Sequence, residues 1–152
     1  MGVQRLNHAV LYVTDAQRSS AFYQRALQME VAADLGAAVF LRLPGNHHDL
    51  GLFSVGSGGP TRPAGRPGPG LYHLAWQVED FGDLVERRTE LLDMGALVGE
   101  SDHGVSLSLY AQDPDGIEFE VMWALPTDAW GEFTDAAVTR RLDWVGAHER
   151  WA

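Results

Sequence analysis

The chain has no cysteine among its 152 residues, which excludes disulfide staples, thiolate metal sites and a cysteine nucleophile. Any metal must therefore rest on nitrogen and oxygen donors. Basic residues are scarce: 11 Lys and Arg stand against 21 Asp and Glu, for a formal net charge of -10. Such a surface repels a phosphate backbone instead of releasing its counterions, so nucleic acid is not an expected partner. No apolar run is long enough to cross a bilayer, and Met1 is followed by strand-like alternation, with no basic segment and apolar stretch before it. A soluble, unexported, cytoplasmic protein with no membrane partner is expected. With 45% hydrophobic residues, the length suits one ordinary core and a single domain.

What is present is organised by an internal repeat. Laying 6–29 over 71–94 at a constant offset of 65 makes six pairs coincide: Leu6 with Leu71, His8 with His73, Val13 with Val78, Asp15 with Asp80, Leu27 with Leu92, and Met29 with Met94. Chance would give about two identities at ordinary residue frequencies, so the two halves are expected to share a fold. Each half opens with an alternating strand, around Leu6–Val13 and Leu71–Val78, with both faces expected to be substantially buried. A helix follows each strand. Thr14 or Asp15 can cap the first, where Phe22 with Ala26 and Tyr23 with Leu27 make i, i+4 pairs. Asp80 caps the second, whose apolar stripe is Phe81, Leu84, Val85, Leu91 and Leu92, and Gly95 stands at its left-handed end.

Three strand candidates follow each helix: 30–33, 37–43 and 49–55, then 97–100, 105–112 and 117–123. The strong turn Asp113-Pro114-Asp115-Gly116 precedes the last of them. Each module therefore reads βαβββ, and the expected fold class is α+β, two such modules forming a curved mixed-sheet cup around a metal site. The expected plan is a domain over 1–125, with module one at 1–56, a linker at 57–70 and module two at 71–125, followed by a tail at 126–152. The Gly- and Pro-rich segment from Gly56 to Gly70 cannot pack a core and reads as a connection. Trp130, Phe133, Trp144 and Trp151 give the tail apolar area to bury on this chain or on a partner.

Two modules carrying His8 and His73 at one repeat register, if packed with pseudo-twofold symmetry, aim both imidazoles at a shared cleft. A carboxylate is needed to complete a metal site. Glu118 and Glu120 project to one face of the last strand, and Glu120 is the first choice with Glu118 in reserve. Two His and one carboxylate form a facial triad, which leaves coordination positions open for substrate and oxygen. A lone strand His is more often a hydrogen-bonded core residue, but the shared register of His8 and His73 argues for ligation.

The segments LNHAVLYV, LYHLAWQV and DPDGIEFEV resemble the three metal-bearing strands of the vicinal oxygen chelate superfamily, which includes glyoxalases, bleomycin-binding proteins, extradiol dioxygenases and fosfomycin-modifying enzymes. The resemblance spans about Val3 to Trp123 and places the family's glutamate at Glu120. Three stretches are more similar to single-domain catechol 2,3-dioxygenase-like members than to glyoxalases. His48-Asp49-Leu50-Gly51-Leu52 resembles the strand bearing the acid/base His, while Asp102-His103-Gly104-Val105-Ser106 and Leu109-Tyr110 resemble the His and Tyr that hydrogen-bond substrate and oxygen. The segment 50–55 offers no carboxylate for the fourth ligand typical of glyoxalases, and Asp49 at its edge is a poor substitute.

The resemblance implies an Fe(II)-dependent, ring-cleaving dioxygenase acting on a catechol-like diol and O2, with His8, His73 and Glu120 as ligands and His48, His103 and Tyr110 as catalytic groups. It also favours a homodimer. Two other readings share the fold: a lyase, isomerase or transferase in which Mn2+, Ni2+ or Zn2+ is a Lewis acid, and a non-enzymatic protein that sequesters an aromatic ligand or antibiotic.

Overall fold

Asp15 and Asp80 set the frame. In the computed structural model, which describes residues 2–57 and 69–152, both are helix N-caps: the Asp15 carboxylate accepts from the amides of Gln17 and Arg18, and that of Asp80 from Asp83. They satisfy donors that a helix start would otherwise leave open. The described residues group into two compact units, 2–57 with Asp113–Asp115, and 69–112 with 116–152. Most of the expected 57–70 linker lies outside the described residues.

In the first unit, β1 (Ala9–Val13), α1 (Ala16–Leu27), β2 (Glu30–Asp34), β3 (Ala38–Arg42) and β4 (Leu50–Ser54) follow in chain order. Their sheet runs β1-β4-β3-β2, with β1 parallel to β4 and the other pairs antiparallel. In the second unit, β5 (Leu74–Gln77), α2 (Phe81–Asp93), β6 (Leu97–Asp102), β7 (Ser106–Gln112) and β8 (Glu118–Ala124) give β5-β8-β7-β6. There β5 and β8 form the parallel pair. The topology is the same βαβββ plan twice, as the repeat predicts, in an α+β fold with two four-stranded mixed sheets.

Each core lies between a sheet and its helix. Tyr23, Ala26 and Leu27 of α1 are buried with Val39, Leu41, Leu50 and Leu52 in the first unit, and Phe81, Leu84 and Leu91 with Leu109 and Val121 in the second. Burying such a Leu or Phe side chain contributes about 2 kcal/mol. Gly95 adopts φ 64, ending α2 as its position predicts, because only glycine enters that region without steric cost.

Three expectations need correction. The first and fifth strands begin at Ala9 and Leu74, so His8 and His73 stand one residue before their strands, not within them. Both faces of β1 are expected to be buried, but one leaves Val10 52% and Tyr12 74% exposed, since α1 covers only one side of the sheet. On α2, Leu92 is exposed and Arg87 buried, so the buried stripe passes through Arg87.

The tail packs on the second unit. After two short 3-10 turns at Thr127–Ala129 and Gly131–Phe133, α3 (Trp144–Trp151) brings Trp144 within 6.1 Å of Phe81 and Trp151 within 5.3 Å of Trp123, between ring centroids. Asp143 caps it through the Val145 amide, and the Arg88 guanidinium lies 4.6 Å from the Trp144 ring centre. The aromatic tail thus buries area on its own chain.

Candidate metal centre and its surroundings

His73 lies in the backbone immediately before β5, and Glu120 sits in β8, whose parallel register pairs Ala75 with Glu120. That pairing delivers the carboxylate to the imidazole: His73 Nε2 is 2.9 Å from Glu120 Oε2. Alternation along β8 sends Glu118 to the same side, with Oε1 4.0 Å from His73 Nδ1. Both glutamates are largely buried, at 9% and 12% side-chain exposure for Glu118 and Glu120. His73 Nδ1 is buried without a hydrogen-bond partner.

An imidazole nitrogen and a carboxylate oxygen facing one another at this separation require a proton or a cation between their lone pairs. This N and O donor pair fits a divalent metal. His73 and Glu120 are thus brought together within the second unit, while His8 belongs to the first. Among the described residues, no three His, Asp or Glu side chains are arranged as a metal-binding group.

His8 is exposed, and its Nδ1 is 2.9 Å from Asn7 Oδ1. An amide oxygen only accepts, so Nδ1 carries the hydrogen and the Nε2 lone pair is left as a donor to a metal. His48 stacks near it, with ring centroids 4.5 Å apart, and lies 5.3 Å from Phe40. Its Nδ1 is 2.9 Å from Nδ1 of His47, leaving Nε2 as the nitrogen not engaged by that neighbour. Asn46 organises this corner by donating through Nδ2 to the carbonyls of Asn7 and His48 and to Asp49 Oδ1. Asp49 also accepts from the Leu43 amide at 2.6 Å. Its carboxylate is thus committed to closing the 43–49 loop, in keeping with its poor promise as a ligand.

In the second unit, His103 Nε2 is 2.9 Å from the Tyr110 hydroxyl, and the Tyr110 ring centre is 5.7 Å from that of His73. The antiparallel register places Tyr110 opposite Glu120. Burial, and then the Glu120 carboxylate, push the Tyr110 phenol up to about 12, so it keeps its proton through the neutral range.

Sequence reasoning missed Tyr72, Asn7 and Asn46. The Tyr72 ring is 4.6 Å from that of His73, and its hydrogen bond to Glu118 raises its own pKa. Its position directly before His73 was a signal. Asn7 and Asn46 gave none, since amides are common in turns.

The Glyoxalase/Bleomycin resistance protein/Dioxygenase superfamily model matches residues 5–121, and the chain belongs to that superfamily. A biphenyl-2,3-diol 1,2-dioxygenase of Rhodococcus globerulus is 34% identical over 114 residues, covering 74% of this chain and 59% of that protein. The chain thus spans little more than half the length of that relative. An ethylmalonyl-CoA/methylmalonyl-CoA epimerase of Cereibacter sphaeroides is 34% identical over 106 residues, covering 63% of this chain and 75% of that protein. The crystal structure of a glyoxylase/bleomycin resistance protein/dioxygenase domain from Frankia sp. EAN1pec matches with a TM-score of 0.68 at 25% identity, covering 83% of this chain and 96% of the other.

Proposed function

We propose that this protein is an Fe(II)-dependent extradiol-type dioxygenase that opens a catechol-like aromatic diol, with His8, His73 and Glu120 holding the metal. The observation that carries the reading is the partly buried His73–Glu120 pair, with the hydrogen-bonded His103–Tyr110 dyad beside it. Similarity to a biphenyl-diol dioxygenase supports it. Fe(II) held by these residues would supply electron transfer between diol and O2, for a ring opening beside the diol that takes up both oxygen atoms.

The chain's own groups do the rest. His48, through Nε2, accepts a diol proton as general base and returns it as general acid. Tyr110, protonated at neutral pH, offers its phenol oxygen as an acceptor to a diol hydroxyl, and His103 holds that phenol in place. The Tyr72 ring lies against that of His73. The domain comprises 1–125, its modules 1–56 and 71–125 joined by 57–70, with 126–152 as an appended tail. A cytoplasmic homodimer is the expected assembly.

A second reading has one supporting observation, the epimerase relative. In it, the same three residues would hold Mn2+, Ni2+ or Zn2+ as a Lewis acid for an oxygen of a non-aromatic substrate, and no O2 would be consumed. Elemental analysis of anaerobically purified protein, paired with oxygen uptake on a panel of catechols, separates the two. Stoichiometric iron with oxygen uptake is expected. Another metal with anaerobic turnover overturns the dioxygenase reading in favour of the isomerase class, and tight aromatic-ligand binding without metal overturns it in favour of sequestration.

A further inference from the structure

His103 lies between β6 and β7, and each of its ring nitrogens has a partner. Nε2 faces the Tyr110 hydroxyl, while Nδ1 is 2.8 Å from the Val138 carbonyl oxygen and 3.3 Å from Thr139 Oγ1. Val138 and Thr139 belong to the tail, beyond the residue 5–121 span that matches the superfamily.

A backbone carbonyl can only accept, so the Val138 contact requires a hydrogen on Nδ1. In a neutral imidazole the lone pair then resides on Nε2, and the Tyr110 hydroxyl must donate to it. The direction of the Tyr110 hydrogen bond is thus set some thirty residues away in sequence, by backbone geometry. Tyr110 commits its hydrogen to His103 and has only lone pairs left for a ligand, which suits acceptance from a diol hydroxyl.

The segment is fastened on both sides of this contact. The Asp102 amide donates to the Arg140 carbonyl at 2.9 Å and the Arg140 amide to the Asp102 carbonyl at 3.0 Å, an isolated antiparallel bridge. Arg140 Nε adds a 3.1 Å bond to Asp102 Oδ2, and its guanidinium lies 4.7 Å from the Phe133 ring centre. Gly104, directly after His103, packs so closely on Phe133 that a Cβ there would come within 2.5 Å. Beyond the bridge, buried Leu142 and Ala147 anchor the segment.

From these contacts we propose that Val138–Arg140 is a positioning strap. It locks His103 as the Nδ1–H tautomer, so that Tyr110 donates to His103 and presents an acceptor to substrate. Its catalytic meaning rests on the dioxygenase reading, but the tautomer itself does not.

The test is long-range 1H–15N correlation on the full chain, metal-free and labelled with 15N-histidine, with the His103 signal assigned by its loss in His103→Gln. The expected pattern is a single Nδ1–H tautomer without substrate. Arg140→Pro, which removes both the bridging amide and the guanidinium, is expected to lose that single pattern and to lower kcat roughly tenfold with KM little changed. Arg140→Ala, which keeps the backbone bridge, retains the pattern. If Arg140→Pro does not fold, Tyr110→Phe decides: the strap requires the Nδ1–H pattern to survive, with only the Nε2 shift moving. An Nε2–H tautomer in the parent, or a flip in Tyr110→Phe, overturns the strap even if oxygen uptake is normal. Absence of oxygen uptake with the Nδ1–H pattern intact overturns the dioxygenase reading and leaves the strap standing.

Discussion

At the scale of single residues, neighbouring contacts settle which atoms are left for chemistry. Asn7 takes the Nδ1 hydrogen of His8, Asn46 and the Leu43 amide occupy Asp49, and His103 holds Tyr110. This separates two replacements that simple exposure would not. His73→Ala removes the partner of the buried Glu120 carboxylate and is expected to abolish stoichiometric metal and activity with the circular dichroism spectrum unchanged. Retention of one metal per chain would refute the ligand assignment. His48→Ala is expected to retain metal and slow turnover by two to four orders of magnitude, roughly the contribution of a positioned acid/base. Unchanged kcat on every diol tested would reduce His48 to a loop residue packed on Phe40.

At the scale of elements, the turn Asp113–Asp115 is tied to α1 of the first unit. Asp115 accepts from the Thr14 amide at 2.8 Å and pairs with Arg18, while the buried Tyr23 hydroxyl donates to Asp113 at 3.1 Å. Burial alone would raise the Asp115 carboxyl, but the Thr14 hydrogen bonds and Arg18 outweigh it and hold the group below its ordinary range. Because the native pKa is depressed, the stability Asp115 contributes is complete above the unfolded value of about 4 and is lost as pH falls through the native value. Asp115→Ala is expected to cost about 1–2 kcal/mol near neutral pH, with the Arg18 share discounted for its solvent exposure. Urea unfolding at pH 7 and pH 3 checks this: the difference from the parent should shrink at the lower pH, and a constant difference would show that ionisation of Asp115 contributes nothing.

At the scale of the whole molecule, a bound metal should stabilise the folded chain by mass action. At 100-fold excess over Kd this amounts to about 2.7 kcal/mol, or roughly 5–10 °C in Tm for a protein of this size. Differential scanning with added Fe(II) under anaerobic conditions, against His73→Ala as the reference, measures it. Equal shifts in both proteins would place the metal elsewhere.

The repeat, the Asp80 cap, a first cap at Thr14 or Asp15, the βαβββ order and the prospect of a His73–Glu120 pairing were all legible in the sequence, because they depend on local rules. Side-chain periodicity, cap chemistry and turn residues act over a few positions, and the offset of 65 copies them from one module to the next. What packs on what was not legible. The tail's aromatic residues announced a need for burial, but only tertiary structure decided that α3 meets Phe81 and Trp123. The buried place of Arg87 and the exposure of Val10 and Tyr12 were decided in the same way, since burial depends on which element covers a face. The tautomer of His103 is the clearest case. It is set by a carbonyl 35 residues away, and backbone carbonyls carry no sequence signature.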